Sequence, residues 1–258
     1  MRGFLKTSVT NVHIPRVFID RAITLSDVIT LDGPKAHHLC HVLKLRKADP
    51  ITIFNGCGGE FHGTVAEIKK DQLQARIERH DPVSRESQLR IILLLAILKR
   101  DPMRQALQRA TELGVSEIRP IWTQHLSDGK SQSARRFEVW QSAVESASEQ
   151  SGRTQVPLIA EPQSFQSALL QIQREPIDLR LIAHLNQSPL NVSREAVIPM
   201  ASLALAIGPE GGFSEAEISA AVDAEFLPFS IGARILRAET APAALLAYLQ
   251  TRFGDFSI

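Results

Sequence analysis

Leu203-Ala-Leu-Ala-Ile207-Gly208-Pro209-Glu210-Gly211-Gly212-Phe213-Ser214 sets a glycine-rich turn between an apolar run and a helix start. Ser214 and Glu217 have the spacing of a capping box, so the turn leads into the positive end of a helix, where backbone N–H groups lack partners. A glycine-rich loop at the carboxyl end of a strand is where open α/β sheets bind ligands. Pro209 stiffens the turn and the glycines let a ligand approach the backbone closely. Taken alone, the stretch reads equally well as a tight structural turn.

A second segment shifts the balance towards the ligand-binding reading. Phe226 to Ile231 has the composition of another buried strand and runs into Gly232-Ala-Arg-Ile-Leu-Arg-Ala-Glu-Thr-Ala-Pro242. Thr240 is placed to cap the last helix, Pro242 fits its first turn, and Leu245, Leu246 and Leu249 form its buried stripe. Two glycine-containing loops, each joining a strand to a helix and close together in sequence, predict one shared crevice.

Through Ile207–Ser214 and Ile231–Ala241 the chain resembles the RsmE family of ribosomal RNA uridine-N3 methyltransferases in the SPOUT superfamily. Ala110-Thr-Glu-Leu-Gly-Val115, Glu149-Gln-Ser-Gly-Arg153 and the segment His38 to Arg46 support the match in the expected order, so it spans nearly the whole chain. The resemblance implies an α/β protein: an N-terminal PUA-like β-barrel, then a C-terminal SPOUT domain with a deep trefoil knot, assembled as a homodimer. It also implies S-adenosyl-L-methionine as cofactor and N3 of a uridine in small-subunit (16S-type) ribosomal RNA as target. Two places depart from the family pattern. Lys47-Ala-Asp-Pro50 replaces the more usual Gly-Asp pair, and Pro102 stands where the family usually has another residue.

Composition is compatible with this. A chain of 258 residues favours two domains and buries enough surface to need no covalent staple. Cys40 and Cys57 form no C-x-x-C pair, which argues for reduced thiols in a cytoplasmic protein. The longest apolar run, Ile91 to Leu98, suits a buried strand and is too short for a membrane span. Arg2 and Lys6 have no apolar core behind them, so no signal peptide is expected, and residues 1–14 read as a flexible extension. Net charge is only +1, but the first 90 residues carry 14 Lys and Arg against 10 Asp and Glu, and the remainder 15 against 18. That asymmetry fits an RNA-facing first domain and fits chance as well.

From Arg16 to His80 the pattern is of short strands and tight turns: Val17–Ile19, a helix near Pro34–Leu43, then Ile51–Phe54, Phe61–Ile68 and Leu73–Ile77. The barrel is expected over 15–82, with turns at Asn55–Gly59 and Lys70-Asp71. Asp81–Ser87 is the linker candidate, and from 88 to 258 strands and helices alternate, the mark of a mainly parallel sheet. Gly114 and Gly152 are expected to end the helices striped by Met103, Leu107 and Leu113 and by Phe137, Trp140 and Val144.

No P-loop and no G-x-G-x-x-G fingerprint is present, and no cluster has metal-ligand spacing. His37, His38 and His41 lie beside Lys44, Arg46 and Lys47 and read as a solvated or RNA-facing surface before a metal site. The resemblance carries cofactor roles onto His184, Leu185, Gly208, Pro209, Glu210, Gly211, Gly212, Ile231, Leu236 and Arg237. Uridine N3 is protonated at neutral pH, so the site must favour its anion. Arg237 is the leading candidate, with pairing to Glu239 or Glu210 as its alternative role, and Glu210 either orients a ligand or caps the next helix. His184 reads equally as a partly buried structural histidine. Arg16, Lys44 and Arg46 are candidate phosphate contacts, and Glu145, Gln150 and Arg153 are candidate RNA contacts at one helix end, where Glu145 and Glu149 also read as a solvated face. The competing functions are a SPOUT methyltransferase acting on another position, such as a ribose hydroxyl, and a non-catalytic RNA-binding assembly factor.

Overall fold

Every residue of β6 (Arg90–Ala96) after the first is buried, because the strand lies inside a sheet covered on both faces. This is seen in a computed structural model that describes residues 14–70, 72–125, 133–185 and 200–256. The chain divides into two compact units between Ser84 and Arg85. That point falls within the 81–87 stretch read as a linker, while the expected N-terminal extension lies almost wholly outside the described residues.

In the first unit β1 (Arg16–Phe18) runs parallel to β3 (Pro50–Phe54), and antiparallel pairing continues through β4 (Glu60–Lys69) and β5 (Gln72–Asp81) to β2 (Val28–Leu31). The edge strands β1 and β2 are not paired with each other. Val17 of β1 and Ile29 and Leu31 of β2 nevertheless share one buried cluster with Ile51, Ile53, Val65 and Leu73, so the sheet curls around a common interior. The expected barrel is thus a curled sheet, open in its hydrogen bonding between β1 and β2. Sequence reading missed β2, whose Val28 and Thr30 face outward. Helix α1 (Gly33–His37) continues as a π-helical turn, His38–Val42, which sends Leu39 into the same cluster. Ala48 has φ +72°, a conformation glycine adopts freely, which explains why a Gly-Asp pair suits this turn.

The second unit is a parallel sheet in the order β12-β10-β11-β6-β7-β8, with β7 spanning Glu117–Trp122, β8 Leu158–Ile159, β10 Leu179–Ala183, β11 Ser202–Ile207 and β12 Leu227–Phe229. A short β9 (Gln163–Ser164), also missed, pairs with β7. Side chains alternate across the sheet. Ile91, Leu93 and Leu95 meet α2 (Arg100–Glu112), α3 (Ser133–Ser151) and α6 (Ala241–Phe253), while Ile92, Leu94 and Ala96 meet α4 (Phe165–Gln173) and α5 (Glu215–Asp223). Burial on both faces supplies the main driving force for this unit. At the amino ends of two strands, Asp178 accepts hydrogen bonds from Ser202 Oγ and from the backbone N–H groups of Ala201 and Ser202. The Ser202 hydroxyl and these N–H groups hold its carboxyl below the usual carboxylate range.

At two places the structure corrects the sequence expectation. The strand predicted over 226–231 is only three residues long, Ser230 adds an isolated bridge, and Ile231 already belongs to the loop. Thr240 occupies the N-cap position of α6 in a helical conformation and makes no side-chain cap. Its backbone N–H and that of Ala241 donate to the Arg237 carbonyl, so the preceding turn supplies the start signal. Pro102 is absorbed in the first turn of α2, where its missing N–H has no helical partner to lose.

Candidate cofactor site

Three neighbouring parallel strands end together. β10 leads into His184, β11 into Gly208 and β12 into Ser230, and the His184 N–H donates to the Phe229 carbonyl at 3.0 Å. Between these carboxyl ends lies a cavity of about 270 Å³, near the lower limit for small-molecule sites. His184, Leu185, Gly208, Pro209, Glu210, Gly211, Gly212, Ile231 and Leu236 all line it, with Ile207, Phe229 and Leu245 forming apolar wall. Arg237 does not line it. The arrangement is a backbone-rich cradle with apolar sides and few charges, suited to a flat, partly apolar ligand with a polar tail.

The 208–212 loop has a defined shape. Gly212 has φ +71° and donates its N–H to the Pro209 carbonyl at 2.8 Å. A Cβ on Gly208 would come within 3.1 Å of the Phe213 ring, which itself stacks on Phe165 with centroids 4.7 Å apart. The predicted capping box is present: the Ser214 hydroxyl accepts from Glu217 N–H and the Glu217 carboxylate accepts from Ser214 N–H. That carboxylate also accepts from the Gln124 N–H at 2.8 Å, tying the loop after β7 to the start of α5. Next to it, His125 Nδ1 lies 3.3 Å from the Gly212 carbonyl, and a Cβ on Gly211 would meet the His125 Cβ at 3.1 Å. A side chain at Gly211 would therefore crowd His125, whereas its φ is not in the left-handed region.

The 231–240 loop is built differently. It is anchored at its far end, where Arg109 Nη1 of α2 donates to the Glu239 carbonyl at 2.9 Å. Its middle is exposed, with Ile235 at 80% accessibility. Arg237 is exposed, and its guanidinium has no hydrogen-bond or ion-pair partner among the described residues, so neither Glu239 nor Glu210 holds it. Arg234, three residues earlier, lines the cavity and is a second cation at the site.

The candidate RNA residues separate by burial. Arg16 is enclosed, its guanidinium 2.6 Å from Glu60 and 5.0 Å from the Phe54 ring centre, with 14% of the side chain accessible. Arg153 is 6% exposed and fully engaged: it donates to Glu86 at 2.6 and 2.9 Å and to the Thr111 and Val115 carbonyls at 3.0 and 2.7 Å. Neither side chain is available to a phosphate in this conformation, because each satisfies a buried acidic or carbonyl partner. Both arginines hold the fold. Lys44, Arg46 and Gln150 are exposed, and Glu145 is half-buried. His37 and His41, both exposed, set their rings together at a tilt of 42° with centroids 4.7 Å apart. No group of metal-binding side chains occurs among the described residues.

Sequence reading missed Arg109, Gln124 and His125, and assigned no role to Arg234. His125 lies just past the carboxyl end of β7, a position that carries a weak signal in a parallel sheet, whereas nothing local marks Arg109 as a partner of a loop 130 residues away.

A family model described as an RNA methyltransferase domain matches residues 85–250, and one described as an RNA methyltransferase PUA domain matches 31–78. The ribosomal RNA small subunit methyltransferase E of Synechocystis sp. is 31% identical over 247 residues, covering 95% of this chain and 80% of that one. The chain belongs to the ribosomal RNA small subunit methyltransferase E family. The relative from Buchnera aphidicola of Schizaphis graminum is 30% identical, over 95% of this chain and 99% of its own. Among solved members, the methyltransferase E of Neisseria gonorrhoeae bound to S-adenosyl methionine is 33% identical with TM-score 0.86, covering 95% of this chain and 100% of that one. A Legionella pneumophila structure in complex with the bound cofactor SAM has TM-score 0.87 at 33% identity, with the same coverage.

Proposed function

We propose that this chain transfers a methyl group from S-adenosylmethionine to N3 of a uridine in small-subunit ribosomal RNA. The observation that carries the reading is the meeting of His184-Leu185, Gly208–Gly212 and Ile231–Leu236 around one cavity at the carboxyl ends of β10, β11 and β12. The cavity suits the cofactor: glycine backbone lines one side, Ile207, Phe229 and Leu245 offer apolar surface to a base, and Glu210 stands among the lining residues. S-adenosylmethionine supplies a methyl group on a cationic sulfonium, which requires alignment and an electron pair and no metal.

The chain's own groups then have separate tasks. The 208–212 loop holds its ligand through backbone, so its side chains matter by being absent. Arg237, and Arg234 beside it, are permanent cations that favour the N3 anion of uridine over its protonated form. Lys44 and Arg46, with the exposed His37 and His41, form a basic and aromatic turn in the first unit suited to phosphates and unstacked bases. The deep trefoil knot, the homodimer and a cytoplasmic location are inferred from the family likeness. No helix among the described residues is long and apolar enough to cross a membrane.

The test is mass analysis of nucleosides after the purified protein acts on unmodified small ribosomal subunits or their free RNA with methyl-labelled S-adenosylmethionine. Label in 3-methyluridine is expected. Label in a 2′-O-methyl nucleoside would assign the chain to another RNA position, and failure to bind cofactor would make it a non-catalytic assembly factor.

A further inference from the structure

We infer that His125 is a positioning residue for the cofactor loop, acting through Gly211 and Gly212 and not by touching the reacting atoms. The inference rests on the cofactor reading above. His125 meets the loop in two ways: its Cβ occupies the space a side chain at Gly211 would need, 3.1 Å away, and its Nδ1 lies 3.3 Å from the Gly212 carbonyl. A carbonyl oxygen only accepts, so the contact selects the imidazole form with hydrogen on Nδ1.

The place of this contact gives it consequence. Gly212 is the residue with φ +71°, where the loop reverses before Ser214. Its N–H is held by the Pro209 carbonyl at 2.8 Å and its C=O by His125, so both polar groups of that residue are fixed. Gln124, the preceding residue, fastens to Glu217 at 2.8 Å. The 123–125 stretch therefore grips the loop on one side through His125 and the following helix on the other through Gln124. A loop that binds through backbone groups depends on those groups being oriented before the ligand arrives, and each added constraint lowers the ordering needed on binding.

The test is calorimetric titration of S-adenosylmethionine into the full chain and into three variants, with thermal melting of each unliganded protein alongside. His125→Ala is expected to weaken binding about three- to tenfold, the scale of one hydrogen bond removed. Its melting temperature should change little, because His125 is exposed. Asn places an amide N–H where Nδ1 stood and should restore most of the affinity; Gln places its amide near Nε2 and should resemble Ala. Wild-type affinity in His125→Ala, or Asn no better than Ala, overturns the inference while leaving the cofactor reading intact. Absence of binding by the wild type overturns the cofactor reading and this inference with it.

Discussion

The 208–214 and 231–240 loops border the same cavity by opposite means. The first is closed by hydrogen bonds at nearly every turn: Gly212 to Pro209, Ser214 to Glu217, Gln124 to Glu217 and His125 to Gly212. The second is fixed at its end by Arg109 and by the Arg237 carbonyl, and leaves Arg234, Ile235 and Arg237 exposed. One loop presents backbone in a set shape and the other presents side chains. On the function proposed above, the first loop retains the cofactor and the second stabilises charge during transfer.

The largest test of that division is Gly211→Val. Its branched side chain crowds His125 and fills space on the cavity wall, so S-adenosylmethionine affinity should fall beyond calorimetric detection while the unliganded protein still melts cooperatively. Unchanged affinity would break the comparison by removing the first loop from the site.

Next comes Arg237→Ala, expected to lower single-turnover methyl transfer about a hundredfold, the scale for one donor to a developing anion. Cofactor affinity should remain as in the wild type, and Lys should restore only part of the rate because it lacks the planar fork. The deficit should shrink with rising pH as uridine N3 ionises unaided. A deficit independent of pH would give Arg237 a structural or positioning role instead and shift attention to Arg234, which lines the cavity.

A smaller effect is expected from Glu217→Ala, which removes the acceptor shared by Ser214 and Gln124. Denaturant unfolding should show stability reduced by about 1 to 2 kcal/mol, as when a helix cap or a charged hydrogen bond is removed. Cofactor affinity should fall with it, since the same carboxylate steadies the loop; an affinity unchanged at reduced stability would separate the cap from the cradle.

The smallest effect lies outside both loops. Lys44→Ala with Arg46→Ala should reduce the slope of log affinity for RNA against log salt by about 0.7 to 0.9 for each phosphate no longer neutralised, with no change in cofactor binding. An unaltered slope would remove this turn from the RNA surface.

The elements that form the site were legible because local chemistry marks them. An apolar run before Gly208 and the Ser214–Glu217 pair identify a strand, a loop and a helix start without any long-range information, and the nine cofactor candidates other than Arg237 meet at the cavity. The resemblance rested on these same residues. Edge strand β2 and the two-residue β9 were not legible, because a short strand with outward-facing residues has too few buried positions to establish a period.

By itself, then, the sequence determined which segments are strands buried on both faces, where glycine permits a reversal, and where a helix begins. Those properties arise between residues a few positions apart. Only the tertiary structure decided what each charge is used for. Arg153 and Arg16 look like solvent-facing cations in the sequence but are enclosed by Glu86 and Glu60, while Arg237 stands exposed. Only the fold likewise brings His125 onto Gly211 and Arg109 onto Glu239, because the partner of a side chain is set by how distant strands and helices pack, which no local pattern encodes.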